Sequence, residues 1–353
     1  MLSLSNKVQG ATIFDGFSGS TRVSQAYAQA QYTVYANDIA EYAQVFNTAY
    51  LLNEQEPHAY QALIDHLNAL KPIDGWFTDN YGGEDAGGKS VGNDGFKKPW
   101  QKKNTRKLDA VREEIDRLNL DAITKAVCIV SLILALDQVD STVGHYAAYL
   151  DDWSPRSYKD LILEVPHLWI NRKKHTVMRA DVFDAIKALP SGIDLAYLDP
   201  PYGSNNEKMP PSRVRYAAYY HIWTTICLND TPVLFGKAKR RVDTRDTVAA
   251  SVFEEFRKNR NDRKNTSERF IAVAAVEKLI QQVPAAYVIL SYSSGGRATF
   301  QELYDALTAS GKLLALQKID YKKNSMTAMK WTNDWAQDSA ERHYEYLFLL
   351  EKK

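Results

Sequence analysis

The sequence predicts an α/β fold: a Rossmann-like, doubly wound sheet carrying two insertions, one of them largely helical. Three observations predict it. A strand, a glycine-bearing turn, a helix and a second strand closed by an acid follow one another through residues 11–38, which is how a Rossmann-like unit opens. An apolar run, I-D-L-A-Y-L at 193–198, stops abruptly in D-P-P-Y-G at 199–203. Strand and helix patterns alternate elsewhere, broken by two long stretches unsuited to a sheet.

The elements follow in order. A-T-I-F (11–14) is an apolar strand running into D-G-F-S-G-S-T (15–21), and residues 23–30 have helical composition. Y-T-V-Y-A (32–36) is a second strand ending in Asn37-Asp38, and a helix with Tyr42, Val45, Phe46 and Ala49 comes next. Residues 72–105 are rich in Gly, Asn, Asp and Lys, too polar for a core, and read as a long loop ordered on binding. Leu108, Val111, Ile115 and Leu118 form one helical stripe, and a second apolar helix covers about 121–137. H-T-V-M-R-A-D-V (175–182) is a strand ending in Asp181, with a helix to about Leu189 before the run at 193–198. Residues 205–270 are irregular, aromatic and basic. A helix (about 270–282), a strand (286–292), a helix (about 299–310) and strands at 312–319 and 343–351 complete the chain. The α/β core is therefore residues 1–51, 171–204 and 271–353, with insertions at 52–170 and 205–270.

Composition excludes several classes. The 353 residues are 45% hydrophobic and 25% charged, ordinary for a globular protein. No segment approaches the roughly 20 apolar residues that span a bilayer, and the longest run, residues 126–136, is interrupted by Ser131. The start, M-L-S-L-S-N-K-V-Q-G, lacks the layout of a signal peptide. Cys128 and Cys227 lie far apart in apolar surroundings, the pattern of reduced thiols in a cytoplasmic protein and not of a disulfide or a metal site. Net charge is only +1, yet its distribution is uneven. Residues 97–107 hold six bases and no acid, and residues 237–269 hold eleven bases against six acids. Two basic clusters beside a neutral core favour a polyanionic partner.

The motifs narrow the chemistry. Gly16 and Gly19 let the backbone pass close to a ligand at the end of the first strand. No Gly-Lys-Ser/Thr follows, so this is not a Walker loop, and it is not a clean G-x-G-x-x-G. Asp38 closes the second strand, where an acid can accept both hydroxyls of a ribose or cap the next helix. Asp181 closes the third strand in the same way and could accept from an adenine amino group or serve as a helix cap.

Two consecutive prolines cannot extend a strand ladder, so Pro200 and Pro201 need another use. Suppose the ligand is S-adenosylmethionine, whose sulfonium makes its methyl group electrophilic. The exocyclic amine of adenine is a poor nucleophile, because its lone pair is delocalised into the ring. Acceptors on both of its N–H bonds would aim that lone pair at the methyl. The Asp199 carboxylate and the rigidly held Pro200 carbonyl can supply them. Tyr202 can stack on the base, worth roughly 1–3 kcal/mol. A base inside a duplex must first be flipped out to reach such a pocket.

F-S-G-S (17–20), N-D (37–38) and D-P-P-Y (199–202), in this order, resemble the D12 class of N6-adenine DNA methyltransferases, the group that includes the DNA adenine methylases. D-Q-V-D-S-T-V-G-H-Y-A-A-Y-L (137–150), Y-Y-H-I-W-T-T-I (219–226), I-L-S-Y-S (289–293) and Y-E-Y-L-F-L (344–349) resemble further segments of such enzymes. The resemblance implies an S-adenosylmethionine-dependent methyltransferase sheet. Asp15, Phe17, Ser18 and Gly19 would wrap the methionine part of S-adenosyl-L-methionine, Asp38 would hold its ribose and Asp181 its adenine. Asp199, Pro200 and Tyr202 would form the target-adenine pocket. The partner would be double-stranded DNA, with target recognition in 52–170 and further DNA contact in 205–270. Lys102, Lys103, Arg106, Lys237, Lys239, Arg240 and Arg241 are the phosphate-contact candidates. Restriction–modification is one setting and would bring a cognate restriction endonuclease as partner; epigenetic marking is another.

Two features depart from the family. Its common lysine- and glycine-containing segment before the first strand has no convincing equivalent in residues 1–10, and Ser20-Thr21 stands where a glycine is frequent. Rival readings are a methyltransferase for RNA or for cytosine N4, and a catalytically silent DNA-binding subunit. Intact Asp199, Tyr202, Asp38 and glycine turn argue against the silent subunit. D-P-P-Y has no role in a nicotinamide oxidoreductase. For base readout the insertions offer Trp76, Tyr81, Lys89, Trp100, Asn104, Arg106, Arg213 and Arg215.

Overall fold

The apolar runs of the sequence gather into one seven-stranded sheet. The computed structural model describes residues 1–8, 10–204, 215–245, 247–255, 271–320 and 344–353. A short helix α1 (Leu2–Ser5) precedes β1 (Thr12–Asp15), α2 (Arg22–Gln29), β2 (Thr33–Asp38) and α3 (Glu41–Leu51). The first insertion folds as α4 (Gln61–Ala69), α5 (Trp76–Tyr81), β3 (Gly82–Ala86), β4 (Lys89–Val91), β5 (Trp100–Gln101), α6 (Lys102–Arg117) and α7 (Ala122–Asp137). The core resumes with β6 (Thr176–Arg179), α8 (Val182–Ala188) and β7 (Ile193–Leu198). After β7 come α9 (Tyr216–Tyr219), α10 (His221–Leu228), β8 (Leu234–Phe235) and β9 (Arg240–Arg241). The chain closes with α11 (Ile271–Gln282), β10 (Ala285–Ser293), α12 (Phe300–Ser310), β11 (Gly311–Asp320) and β12 (Tyr344–Lys352).

The strand order is β11-β12-β10-β7-β1-β2-β6. The five strands from β10 to β6 are parallel, and β12 runs antiparallel between β10 and β11. Helices cover both faces, which is why the central strands read as near-continuous apolar runs. On one face Phe14, Ala196, Leu198, Leu290 and Phe348 pack with residues of α8, α11 and α12. On the other, Ile13, Val34, Leu195, Tyr197, Ile289 and Leu347 pack under Leu4 of α1 and Tyr27 of α2. The chain leaves β1 toward β2 on one side, and β7 lies on the other, so the sheet's switch point falls between β1 and β7. Ligands of such sheets bind outside the carboxyl ends there.

A separate apolar core lies in the helical insertion. Ile64, Leu67, Leu108, Val111, Ile129 and Ile133 pack there with Phe46 of α3 and with Ile222 and Ile226 of α10. Arg112 binds this unit together. It is 1% exposed, its Nε donates to the Ile226 carbonyl at 2.6 Å, its Nη2 to the Cys227 carbonyl at 3.3 Å, and its Nη1 pairs with Asp116 at 2.9 Å. One guanidinium thus satisfies carbonyls at the end of α10 that the helix itself leaves open.

Residues 72–105 are not the single loop that their polarity suggests. They contain α5, the β3–β4 hairpin, β5 and the start of α6. Asp109 of α6 caps α5 from a distance, accepting from the Phe77 and Thr78 amides at 2.9 Å each. Trp100 is fully buried and donates to the Leu136 carbonyl at 3.0 Å. Polar side chains on a short surface hairpin dilute the composition, and its backbone ladder leaves no apolar signature. Tyr81, Trp100, Asn104 and Arg215 are buried, which removes them from the base-reading set; Arg213 lies outside the described residues. Both cysteines are buried and unpaired. Among the described residues no helix is long and apolar enough to cross a membrane.

Candidate active site

The turn after β1 is built from main-chain bonds. The Gly16 amide donates to the Tyr197 carbonyl of β7 at 3.0 Å, and the Ser18 amide to the Asn37 carbonyl of β2 at 2.9 Å. Gly19 has φ +49°, with open space where a side chain would begin. Its amide donates to Asp38 Oδ2 at 2.9 Å, and the Ala40 amide to Oδ1 at the same distance. Asp38 therefore pins the glycine turn as well as starting α3. Burial raises its carboxyl above the ordinary range, against the lowering effect of those amides. Asn37 ties three strand ends, donating to the Gly16 and Ala180 carbonyls and accepting from the Ala180 amide. Asn47 of α3 donates to the Ser18 hydroxyl at 2.6 Å.

Asp15 is fully buried. The Ser24 hydroxyl donates to one of its oxygens at 2.6 Å, and the other has no partner. Burial pushes this carboxyl up to about 7; the Ser24 bond opposes that and the Asp38 charge adds to it. Thr21, in place of the glycine frequent in the family, adopts φ +67°, a left-handed conformation that strains a β-branched residue. Its hydroxyl donates to the Ser20 carbonyl at 2.6 Å and accepts from Gln25 at 2.5 Å, contacts that hold it there.

Asp181 is exposed and caps α8, accepting from the Phe183 amide at 2.8 Å. Ile39, the residue after Asp38, is 69% exposed. Phe253 meets Phe17 edge-on at 5.3 Å and stacks on Phe183 at 5.9 Å. These features fit S-adenosylmethionine. Asp15 offers an unpartnered buried acceptor that suits a cationic amino acid, and Asp38 and Asp181 are acids at the carboxyl ends of neighbouring strands. Ile39 could have been read from the sequence as an apolar residue directly after a strand-closing acid.

β7 delivers D-P-P-Y. One Asp199 oxygen is buried without a partner. Burial drives this carboxyl well above its ordinary range, and the Glu345 and Asp15 charges push the same way. Tyr202 packs edge-on against Tyr292 at 5.2 Å, and its hydroxyl hydrogen-bonds that of Tyr216, which is 41% exposed. Arg297, 3% exposed, fastens the loop from beneath. Its amide donates to the Tyr202 carbonyl at 2.8 Å, its Nε to the Glu254 carbonyl at 3.1 Å, and its Nη1 to the Ser204 carbonyl. Gly203 has φ +58°, and a Cβ there would lie 2.9 Å from the Arg297 side chain, so only glycine fits. Arg297 and Tyr216 carry no motif of their own in a single sequence, and Glu345, within Y-E-Y-L-F-L, could not be tied to Asp199 there, because their placement comes from strands and loops distant along the chain.

The basic candidates divide. Lys102 pairs with Glu84 at 3.2 Å, Lys103 with Asp160 at 2.6 Å and Arg106 with Asp74 at 3.0 Å, all at the surface. Two other bases of that stretch, Lys98 and Lys107, are buried and spent on carbonyls within the fold. Lys237 is exposed, Lys239 is half-buried and pairs with Asp94 at 2.9 Å, and Arg240 stacks over Phe235 at 4.7 Å. Arg241 corrects the expectation of a phosphate contact. It is 5% exposed and locked to Asp230 at 2.6 Å and Asp243 at 2.8 Å, so its charge serves the fold.

A sheet that opens at the β1–β7 switch, with an acid-pinned glycine turn on one side and a buried, unpartnered carboxyl oxygen on the other, has the fold of an S-adenosylmethionine-dependent methyltransferase. The family model of the D12 class N6 adenine-specific DNA methyltransferases matches residues 3–244, and the chain belongs to that family. It is 27% identical to the type II methyltransferase M.NlaIII of Neisseria lactamica, over 99% of this chain and 92% of that one. It is 26% identical to the modification methylase StsI of Streptococcus sanguinis over 96% of this chain, and 28% to the modification methylase LlaI of Lactococcus lactis subsp. lactis over 84%. The matches span 47% of StsI and 44% of LlaI.

Proposed function

We propose that the protein transfers the methyl group of S-adenosylmethionine to N6 of an adenine at a specific site in double-stranded DNA, with the base turned out of the helix. The observation that carries this reading is the acceptor pair at the end of β7, an unpartnered Asp199 oxygen beside a proline-fixed carbonyl. When bound, the cofactor supplies an electrophilic methyl at a sulfonium. Asp38 and Asp181 hold ribose and adenine, while Asp15 and the turn at Phe17, Ser18 and Gly19 surround the amino-acid end. Asp199 and the Pro200 carbonyl each accept one N–H of the target amine, fixing its lone pair on the methyl. Tyr202 and Tyr216 wall the base.

DNA lies across the two insertions, 52–170 and 205–270. Lys102 and Lys103 occupy the first turn of α6, whose Gln101 cap makes no side-chain bond. Cations at a helix N-terminus oppose its dipole, a local loss that a phosphate bound there would offset. Exposed pairs such as Lys103–Asp160 are worth only about 0–1 kcal/mol, so DNA can exchange for them. The natural setting is a cytoplasmic restriction–modification system with a cognate endonuclease; the naming of two relatives as modification methylases supports the modification half of that reading.

The deciding experiment offers labelled S-adenosylmethionine with duplex DNA, single-stranded DNA and RNA, followed by nucleoside analysis of the product. N6-methyladenine from duplex DNA is expected; N4-methylcytosine, or label only in RNA, would overturn the reading. A second measurement concerns the basic surface. Replacing Lys102, Lys103, Lys237 and Arg240 together by glutamine should weaken DNA binding and flatten its salt dependence, by about 0.9 in the log–log slope for each phosphate that is no longer neutralised. Cofactor affinity should not move, and a parallel loss of both would mean that the surface is structural.

A further inference from the structure

Alternation along neighbouring strands brings three acids to one place. Side chains two residues apart share a face. Asp15 follows Ile13, Asp199 follows Tyr197, Ser291 follows Ile289, and Glu345 precedes Leu347; all four of those apolar neighbours belong to the core under α1 and α2. Parallel pairing of β1 with β7 and β7 with β10, and antiparallel pairing of β10 with β12, put Asp15, Asp199, Ser291 and Glu345 at the same end of the sheet. Adjacent strands lie about 4.8 Å apart, so Asp15 of β1 neighbours Asp199 on one side, and on the other Glu345 of β12 reaches toward it over Ser291 of the intervening β10. Ser291 donates to Glu345 at 2.7 Å. One oxygen each of Asp15 and Asp199 is buried with no partner. Among the described residues the groups facing the trio are themselves neutral or acidic: Ser24 and Tyr27 of α2 and Asp38 of β2 on Asp15, and Tyr197, Tyr202 and Tyr216 on Asp199.

We propose that Glu345 is a positioning residue of the reaction. With Asp15 and Asp199 it makes one acid cluster that keeps protons while no cation is near and releases them to solvent when a cationic cofactor binds. The sulfonium donor is thereby held more tightly than the neutral thioether product. The inference rests on the cofactor reading above. Its physical basis is that like carboxyls in a dry site resist ionising together, and a positive charge in their midst removes that resistance. Burial raises all three carboxyls, and Asp199 feels both of its neighbours. Charge also balances across turnover. As the S–C bond breaks and the C–N bond forms, the sulfur loses its charge and N6 gives up a proton, which the cluster, no longer facing the sulfonium, takes back.

The test is calorimetric binding of S-adenosylmethionine and of S-adenosylhomocysteine to the whole protein between pH 6 and pH 8, in buffers of different ionisation enthalpy. The two ligands differ in the sulfonium charge and its methyl. The affinity ratio should rise with pH by up to about tenfold per unit for each additional proton released, and the sulfonium should release more protons than the thioether, because the ammonium that faces Asp15 is common to both. Glu345→Gln, which keeps an acceptor for Ser291, should shift that rise to lower pH and reduce the proton count, with Glu345→Asp restoring part of it. Should Glu345→Gln fail to fold, Ser291→Ala changes the same cluster and should alter the proton count. A ratio independent of pH, or an unchanged profile in the folded variant, would overturn the proposal. Failure of both ligands to bind at any pH would instead remove the cofactor reading beneath it.

Discussion

Asp199→Ala should reduce methyl transfer by at least about 10²–10³-fold, the scale on which one preorganised polar group contributes to catalysis, with cofactor binding retained. The cause is geometric: without that acceptor only the Pro200 carbonyl holds the target amine, and its lone pair is no longer aimed. Asp199→Asn is the sharper companion. An amide keeps the shape and one acceptor, so activity should fall less than with alanine. Stability should move the other way. Burial and neighbouring acids raise the Asp199 carboxyl in the folded state, so its contribution is fully present below the unfolded value near 3.8 and lost as pH rises through the higher folded value. The asparagine variant should therefore match the parent near pH 4 and exceed it in denaturation midpoint at pH 8. An inactive variant that is also less stable at pH 8 would contradict a strained catalytic carboxyl. Undiminished transfer by Asp199→Ala would end the mechanism itself.

Arg112→Met should cost about 3–5 kcal/mol of stability, the usual scale for breaking a buried charged pair. Methionine fills the volume yet leaves the Ile226 and Cys227 carbonyls without their donor. The loss should appear as a lower urea midpoint. Function should suffer with it, because α10 continues directly from α9, which carries Tyr216 beside the D-P-P-Y loop. A variant of unchanged midpoint would show that water or backbone adjustment satisfies those carbonyls.

The α/β core was largely legible in the sequence. Each expected strand from 11–14 to 343–351 has its counterpart within a few residues, because strands covered on both faces must be apolar throughout. The site was legible where chemistry is local: Asp38 and Asp199 close β2 and β7, as their position after an apolar run implies. Residues 72–105 misled because a surface hairpin and a short helix need no apolar run when Asp109 and buried Trp100 anchor them from elsewhere. Charge counting misled in the same way. Lys98, Lys107 and Arg241 look like surface cations in sequence but are buried with partners far along the chain or across a turn.

The sequence by itself determined the class of sheet, the D-P-P-Y motif at its switch point and, through the resemblance carried by D-P-P-Y and F-S-G-S, the family and so the kind of atom attacked. These are short-range properties: a strand's period, a proline's missing donor, a glycine's freedom. Only the tertiary structure decided which acids lie together, which cations face outward and which residue fastens the D-P-P-Y loop. Glu345 reaches Asp199's surroundings across two strands, and Arg297 holds Tyr202 from a loop nearly a hundred positions later. Burial and electrostatic coupling depend on distance in space, and that distance is set only when the sheet closes.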